Sequence, residues 1–286
     1  MTIELAVTPR GPYSLALSAR IAGDGTRTFR DGVLTQALAI DGNVELTAAR
    51  QSPNGTVTIR AESAAGADRM RWILALDDDH SGFLARTRED ALLARASREL
   101  RGLRPVRVST VAHALLRAFC GQLIEARRAR QLERKIVRTL CASAANGLHV
   151  APTTTDLAAL APSRLRALGL HARRAAALVS ICRSFELERL HDQPSDVVAA
   201  RLGRERGLGP WSVGIVFLEG LGRYDRGLVG DLGLIKLLRT QLGREVDGAE
   251  TAALLAPYGE WAGLASVYLL AGYGRGLIPL DVAHAA

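Results

Sequence analysis

The strongest constraint on the fold is a change of hydrophobic period near residue 77. Before it, short runs alternate polar and apolar residues: YSLALSARI, GVLTQALAI, VELTAAR and TVTIRAE. Turn signals separate them, with GDG at 23–25, DG at 41–42 and PNG at 53–55. A period of two bounded by Gly, Asn and Asp predicts a small antiparallel sheet. GADRMRWILAL then reads as a helix that covers one face of that sheet. From DDDHSGFLARTREDALLARASREL onward the period is helical, and Leu84, Leu92, Leu93 and Leu100 share one spacing. DDDH at 77–80 reads as a loop ahead of a helix.

LRPVRVST interrupts the helical pattern. Ser109 and Thr110 then cap a long amphipathic stretch, VAHALLRAFCGQLIEARRARQLERKIVRTLCASA, which should split near Gly121. Further helices are expected at APTTTDLAAL, APSRLRALGL, HARRAAALVSICRSF and PSDVVAARL, each after a Pro or near a capping residue. The fold class expected is α+β. A β-sheet domain over 1–76 carries one covering helix, and a helical part follows over 77–286.

A chain of 286 residues with 48% hydrophobic content can bury a substantial core and is not disordered. Lys and Arg outnumber Asp and Glu by 37 to 29, a net charge of +8. That balance leans toward an anionic partner, nucleic acid first, although a coding bias toward Arg gives the same number. The three cysteines, Cys120, Cys141 and Cys182, lie far apart without metal-ligand spacing. Buried thiols in a reducing cytoplasm are expected, with no disulfide framework and no zinc or iron–sulfur cluster. MTIELAVTPRG lacks the basic and apolar runs of a signal peptide, and no apolar stretch is long enough to span a bilayer. The expectation is a cytoplasmic, nucleoid-associated monomer with no membrane partner.

The most informative stretch is GLGPWSVGIVFLEGLGRYDRGLVGDLGLIK, from Gly207 to Lys236. GLGPW between two helices signals a helix–hairpin–helix. Gly207 and Gly209 permit a turn that side chains would block. The N–H groups of the turn and the next helix start then face outward, ready for a phosphate. Asp231 follows about twenty residues on, framed by glycines ahead of LGLIKLLR. As a carboxylate it can stabilise positive charge on a sugar and orient water. As a residue ahead of a helix it can simply cap. Asp225 is a nearby alternative.

Several motifs in order resemble the helix–hairpin–helix, Gly/Pro-Asp superfamily of base-excision DNA glycosylases, and within it the AlkA type of 3-methyladenine glycosylases. They are AFCGQLIEARRARQLERKIVR, LAALAPSRLRALGLHARRAAALVSIC, the hairpin with Asp231, and YGEWAGLASVYLL. The resemblance spans nearly the whole chain. It implies a helical glycosylase core of two subdomains, 107–233 with the hairpin and 77–106 plus 234–286. It implies Asp231 as the catalytic carboxylate. Trp211 stands where bifunctional relatives carry a Schiff-base Lys, so it implies a monofunctional enzyme without lyase chemistry. Trp211 either stacks on a flipped base or pins two helices.

Further roles are implied by the same resemblance. Gln122 and Leu123 fall where the family inserts residues into the gap left by a flipped nucleotide, although Leu123 also suits ordinary packing. Gly207, Leu208, Gly209, Pro210, Ser212 and Val213 form the DNA-binding hairpin. Tyr258 matches an aromatic of the substrate pocket, or else is a half-buried Tyr. Ile215 and Leu232 stand where relatives carry pocket tyrosines, so the pocket should be less aromatic. Ala262 and Gly263 replace an Arg-Ser after Trp261, and Glu205-Arg206 is an atypical entry to the hairpin. No cofactor is required, but a structural monovalent cation, Na or K, is implied on the carbonyls of Gly203, Glu205 and Leu208. The Arg-rich runs EARRARQLERK and HARRAAA either line a DNA channel or are solvated faces.

The function expected is removal of alkylated bases of the 3-methyladenine type from duplex DNA by base flipping, in base-excision repair. Two alternatives stay open: a non-catalytic module that senses damaged DNA, and a glycosylase for other damaged bases.

Overall fold

The computed structural model describes residues 2–20 and 23–280. Five antiparallel strands come first: β1 (Ile3–Val7), β2 (Arg27–Arg30), β3 (Val33–Ile40), β4 (Asn43–Gln51) and β5 (Val57–Ala61). Their order in the sheet is β1-β5-β4-β3-β2. Two Asp-Gly pairs set the register of the central hairpins. Asp31-Gly32 joins Arg30 to its partner Val33, and Asp41-Gly42 joins Ile40 to Asn43. All four residues have positive φ, as a two-residue hairpin that follows the strand twist requires. One face of the sheet buries Leu34, Leu38, Ala49 and Ile59. Helix α2 (Ala64–Ile73) covers this face with Ala67, Met70 and Ile73, as the sequence predicts.

One expected strand is a helix. YSLALSARI forms α1 (Leu15–Ala19), because the Ser14 side chain accepts the Leu17 N–H and starts a turn. Leu15 and Ala19 then enter the sheet core. Strand β1 comes instead from IELAV, and β2 from RTFR.

The helical part begins with α3 (Ser81–Arg86) and α4 (Ala94–Glu99). Asp90 breaks the single helical run expected there, its carboxylate accepting the N–H groups of Leu92 and Leu93. Thr110 caps α5 (Val111–Gly121), which ends where the sequence predicts a split, and α6 (Ala126–Leu140) follows. Next come α7 (Thr154–Ala158), α8 (Pro162–Leu168), α9 (Ala172–Ser184) and α10 (Ser195–Arg204). Then α11 (Pro210–Ile215) widens into a π-turn over Val216–Leu221. The chain continues through α12 (Leu232–Leu242), α13 (Glu250–Leu255) and α14 (Ala262–Tyr273).

Two apolar cores hold these helices. One gathers Leu115, Phe119, Leu178, Leu202 and Phe217 around α5. The other joins Phe83, Leu93 and Leu100 to Leu234, Leu237 and Tyr268. Ala118, Ile215 and Leu218 extend this second core onto α5 and the α11 helix. A groove of about 1270 Å³ opens here, with walls from the sheet domain, α6, the hairpin and α12.

Candidate active site

The hairpin turn between α10 and α11 needs glycine at one position. Gly207 has φ of 91°, where an L side chain is strained. Gly209 is extended, with φ of −92°, and a Cβ there would meet no atom within 4 Å. The conformational demand expected of both glycines therefore falls on Gly207 alone. Leu208 is buried and its N–H donates to the Glu205 carbonyl at 3.2 Å, which closes the turn. Pro210 starts α11, where its missing N–H costs nothing. Ser212 and Val213 are both buried behind it.

Trp211 lies half-buried on the groove wall with its ring against Gly121, where a Cβ would come within 2.5 Å of the indole. Its Nε1–H donates to Asp231 Oδ2 at 2.9 Å. The other oxygen, Oδ1, accepts the Gly233 N–H at 2.7 Å and caps α12. Both carboxylate oxygens are thus held by single N–H donors, and the group faces the groove. The sequence left stacking and pinning open for Trp211. The structure packs its ring against Gly121 while the residue still lines the groove, and adds a bond to the carboxylate that the sequence did not suggest.

Asp225 lies elsewhere. It is 3.1 Å from Arg226 Nη1 and 3.5 Å from the Ser195 hydroxyl. Only Asp231 of the two borders the groove. Ile215 and Leu232 line it too, Leu232 being 47% exposed.

The loop between α5 and α6 is strained. Leu123 is 85% exposed and has φ of 56°, both uncommon for a large aliphatic residue. Such strain persists only where the surroundings enforce it. Gln122 supplies part of that constraint. Its Nε2 donates to the Gly207 carbonyl at 2.7 Å and to the Ser212 hydroxyl at 3.0 Å. The Gln122 amide, expected at the gap left by a flipped nucleotide, is engaged with the hairpin through Nε2, and it ties the Leu123 loop to the turn.

Tyr258 corrects a second expectation. It is 4% exposed, belongs to the second apolar core, and donates its hydroxyl to Asp90 at 3.1 Å. It does not border the groove. It anchors the chain ahead of α14 to the loop between α3 and α4.

Sequence reading missed the inner end of the groove. Asp24 and Arg27 of the sheet domain meet Arg117 of α5, Glu133 of α6 and Glu219 of the π-turn there. Arg117 donates to Glu133 at 2.9 Å, to Asp24 at 2.5 Å and to Glu219. His113 Nε2 lies 2.7 Å from Glu133. Burial disfavours the Asp24 carboxylate, but Arg27 and Arg117 outweigh it and hold its pKa below the usual carboxylate range. Asp24, His113 and Glu133 lie close enough to share a metal, yet guanidinium groups already neutralise both carboxylates. These residues fall on four separate segments, so no local spacing could have revealed the cluster.

No family model matches the sequence. The DNA-3-methyladenine glycosylase of Bacillus subtilis (strain 168) is 28% identical over 205 residues, spanning 68% of this chain and 67% of that protein. A 3-methyladenine DNA-glycosylase from Archaeoglobus fulgidus has the same fold, with a TM-score of 0.82 at 20% identity, over 95% of this chain and 98% of that one. The Clostridium acetobutylicum 8-oxoguanine glycosylase/lyase, solved with duplex DNA containing cytosine opposite 8-oxoG, superposes with a TM-score of 0.76 at 15% identity, over 96% and 98%. Among the described residues no helix is long and apolar enough to cross a membrane.

Proposed function

We propose that this chain, similar throughout to helix–hairpin–helix DNA glycosylases, is itself a DNA glycosylase that releases damaged bases of the 3-methyladenine type from duplex DNA. The observation that carries this reading is the Asp231 carboxylate, gripped by Trp211 and Gly233 at a groove that also borders the hairpin and Leu123.

Breaking an N-glycosidic bond builds positive charge on the deoxyribose. A fixed carboxylate beside the sugar stabilises that charge and orients the attacking water. Asp231 needs little reorganisation for this, because both oxygens are already bonded to N–H donors. An alkylated cationic base is a good leaving group, so a single carboxylate suffices. Trp211 has no amine for a Schiff base, which supports hydrolysis without strand cleavage. Backbone N–H groups at the hairpin would grip a phosphate, and the exposed Leu123 would fill the gap left by a flipped nucleotide. A monovalent cation would use the carbonyls of Gly203, Glu205 and Leu208. The Glu205 oxygen accepts one N–H and keeps its second lone pair, so the turn is compatible with it. Such an ion would stiffen the hairpin.

The test is release of free base from duplexes that each carry one lesion, followed by alkali to reveal the abasic site. Base release with an intact strand before alkali supports the reading. No release from any alkylated duplex overturns it.

A further inference from the structure

The helix that begins at the hairpin carries one stripe of side chains along the groove. Trp211, Ile215, Leu218 and Glu219 fall at i, i+4, i+7 and i+8, and all four line it. Trp211 touches Asp231 at the outer end. Glu219 lies eight residues further along the chain, within the π-turn. The walls between are apolar, with Ile215, Leu218, Leu103 and Val106. A base flipped toward Asp231 would enter along this stripe with its far edge leading.

The inner end presents acceptors. Arg117 donates through Nε, through Nη1 and twice through Nη2, all to carboxylates of the cluster. Its guanidinium is thus largely used up. Asp24 and Glu133 have side chains only 2% exposed. Glu219 is different, with 22% of its side chain exposed. Arg117 engages its Oε2, and among the described residues no donor reaches Oε1, so a side chain that lines the groove keeps an open acceptor. The position is built rather than incidental. Gly220 lets the π-turn lie against α5, where a Cβ would come within 2.7 Å of Ala114, and the Val108 N–H holds the Glu219 carbonyl at 2.9 Å. Asp24, Glu133 and Glu219 outnumber Arg27 and Arg117 in this cluster, while Arg104, Arg130, Lys236 and Arg275 also line the groove.

We infer that Glu219 is a specificity residue that selects a cationic purine bearing an exocyclic amine, accepting a hydrogen bond from the amine. This rests on the glycosylase reading above and names the base that site takes. Selection here comes from charge and hydrogen bonding at the inner end of an apolar groove, rather than from the aromatic stacking that the sequence suggested for Tyr258. Hypoxanthine lacks both the exocyclic amine and the positive charge, so the carboxylate gains neither interaction with it.

The experiment compares two duplexes, one with 7-methylguanine and one with hypoxanthine, in single-turnover base release. Glu219→Gln keeps the shape, removes the charge and adds a donor. It should lower 7-methylguanine release at least ten-fold and leave hypoxanthine release unchanged or faster. An equal loss on both duplexes, or no loss on either, overturns the proposal while leaving the glycosylase reading intact. A wild-type protein that releases neither base overturns the proposal, and one that releases no base from any alkylated duplex overturns the glycosylase reading as well. Should Glu219→Gln fail to fold by thermal melting, a second variant decides. Glu219→Asp, which keeps the charge but withdraws the carboxylate, should lower 7-methylguanine release several-fold and spare hypoxanthine, and an equal effect on both overturns the proposal.

Discussion

Trp211 and Asp231 stand twenty residues apart and share one hydrogen bond, Nε1–H to Oδ2 at 2.9 Å. That bond aims a carboxylate whose other oxygen is fixed by its own helix. Trp211→Phe keeps a ring against Gly121 and removes only the N–H. A hydrogen bond to a charged group contributes about 1.5–3 kcal/mol. Base release should therefore fall roughly ten- to a hundred-fold, at about 1.4 kcal/mol per decade, with DNA affinity preserved. Single-turnover rates beside binding curves check this. An unchanged rate would mean that Gly233 alone suffices to position the group.

Asp231→Asn separates the cap from the chemistry. Asn caps a helix about as well as Asp, so the melting temperature should hardly move. The charge that stabilises the sugar is lost, and base release should fall on the order of a hundred- to a thousand-fold or more. Wild-type release by this variant would remove Asp231 from the mechanism.

The two hairpin glycines should behave differently. Gly207→Ala forces a side chain into φ of 91° and should cost about 1–2 kcal/mol of stability. The space itself is adequate, with Phe119 3.4 Å from the new Cβ, so the cost is conformational. Gly209→Val meets no such strain and should leave stability within about 0.5 kcal/mol. Its branched side chain should instead hold a phosphate away from the turn and weaken duplex binding at every salt concentration. Denaturation and salt-dependent binding of both variants separate the two effects.

Much of this was legible in the sequence. The Asp-Gly hairpins, the covering helix α2, the split at Gly121 and the turn at Gly207 all follow from local backbone chemistry. Other features depend on tertiary paths that local pattern cannot encode. SLALSA alternates like a strand, yet the Ser14 cap makes it a helix. Tyr258 is aromatic and close in sequence to pocket-like motifs, but whether it faces a groove or a core is decided by Asp90, far away in the chain. The Trp211–Asp231 bond depends on how residues 222–230 return to the hairpin. The charged cluster on Arg117 draws on four segments, and burial of charge leaves no mark on composition.

Leu123 offers a test with opposing signs. Asn tolerates positive φ far better than Leu, so Leu123→Asn should raise stability by up to about 1 kcal/mol. The same change removes the apolar side chain proposed to replace the lost stacking, and base release should drop about ten-fold. Stability and activity moving in opposite directions would identify the strain as functional. If both fell together, Leu123 would be a packing residue.

Stability should also fall in mild acid, and His80 supplies a defined part of the effect. The ring is buried, its centroid lies 4.8 Å from that of Tyr224, and among the described residues its nitrogens find no hydrogen-bond partner, the Asp78 carboxylate lying 4.0 Å from Nε2. Burial first, then Arg104 and Arg107, push its pKa down from 6.5 to about 3. The folded protein therefore keeps His80 neutral, while the unfolded chain takes up a proton below pH 6.5. Proton uptake by the unfolded state favours unfolding, so this contribution is fully present above pH 6.5 and is lost progressively down to about pH 3. Between pH 7.5 and 5 the loss is about 2 kcal/mol, the slope approaching about 1.36 kcal/mol per pH unit below pH 6.5. His191, pushed down to about 4 chiefly by burial, acts in the same direction. Glu188, whose pKa burial raises, opposes it, its contribution growing as pH falls from that raised pKa to the usual carboxylate value. Urea midpoints at pH 7.5 and 5.0 for the wild type and His80→Phe measure the term. The variant should lose less stability on acidification than the wild type by about that amount, and equal losses would assign the acid sensitivity to other groups.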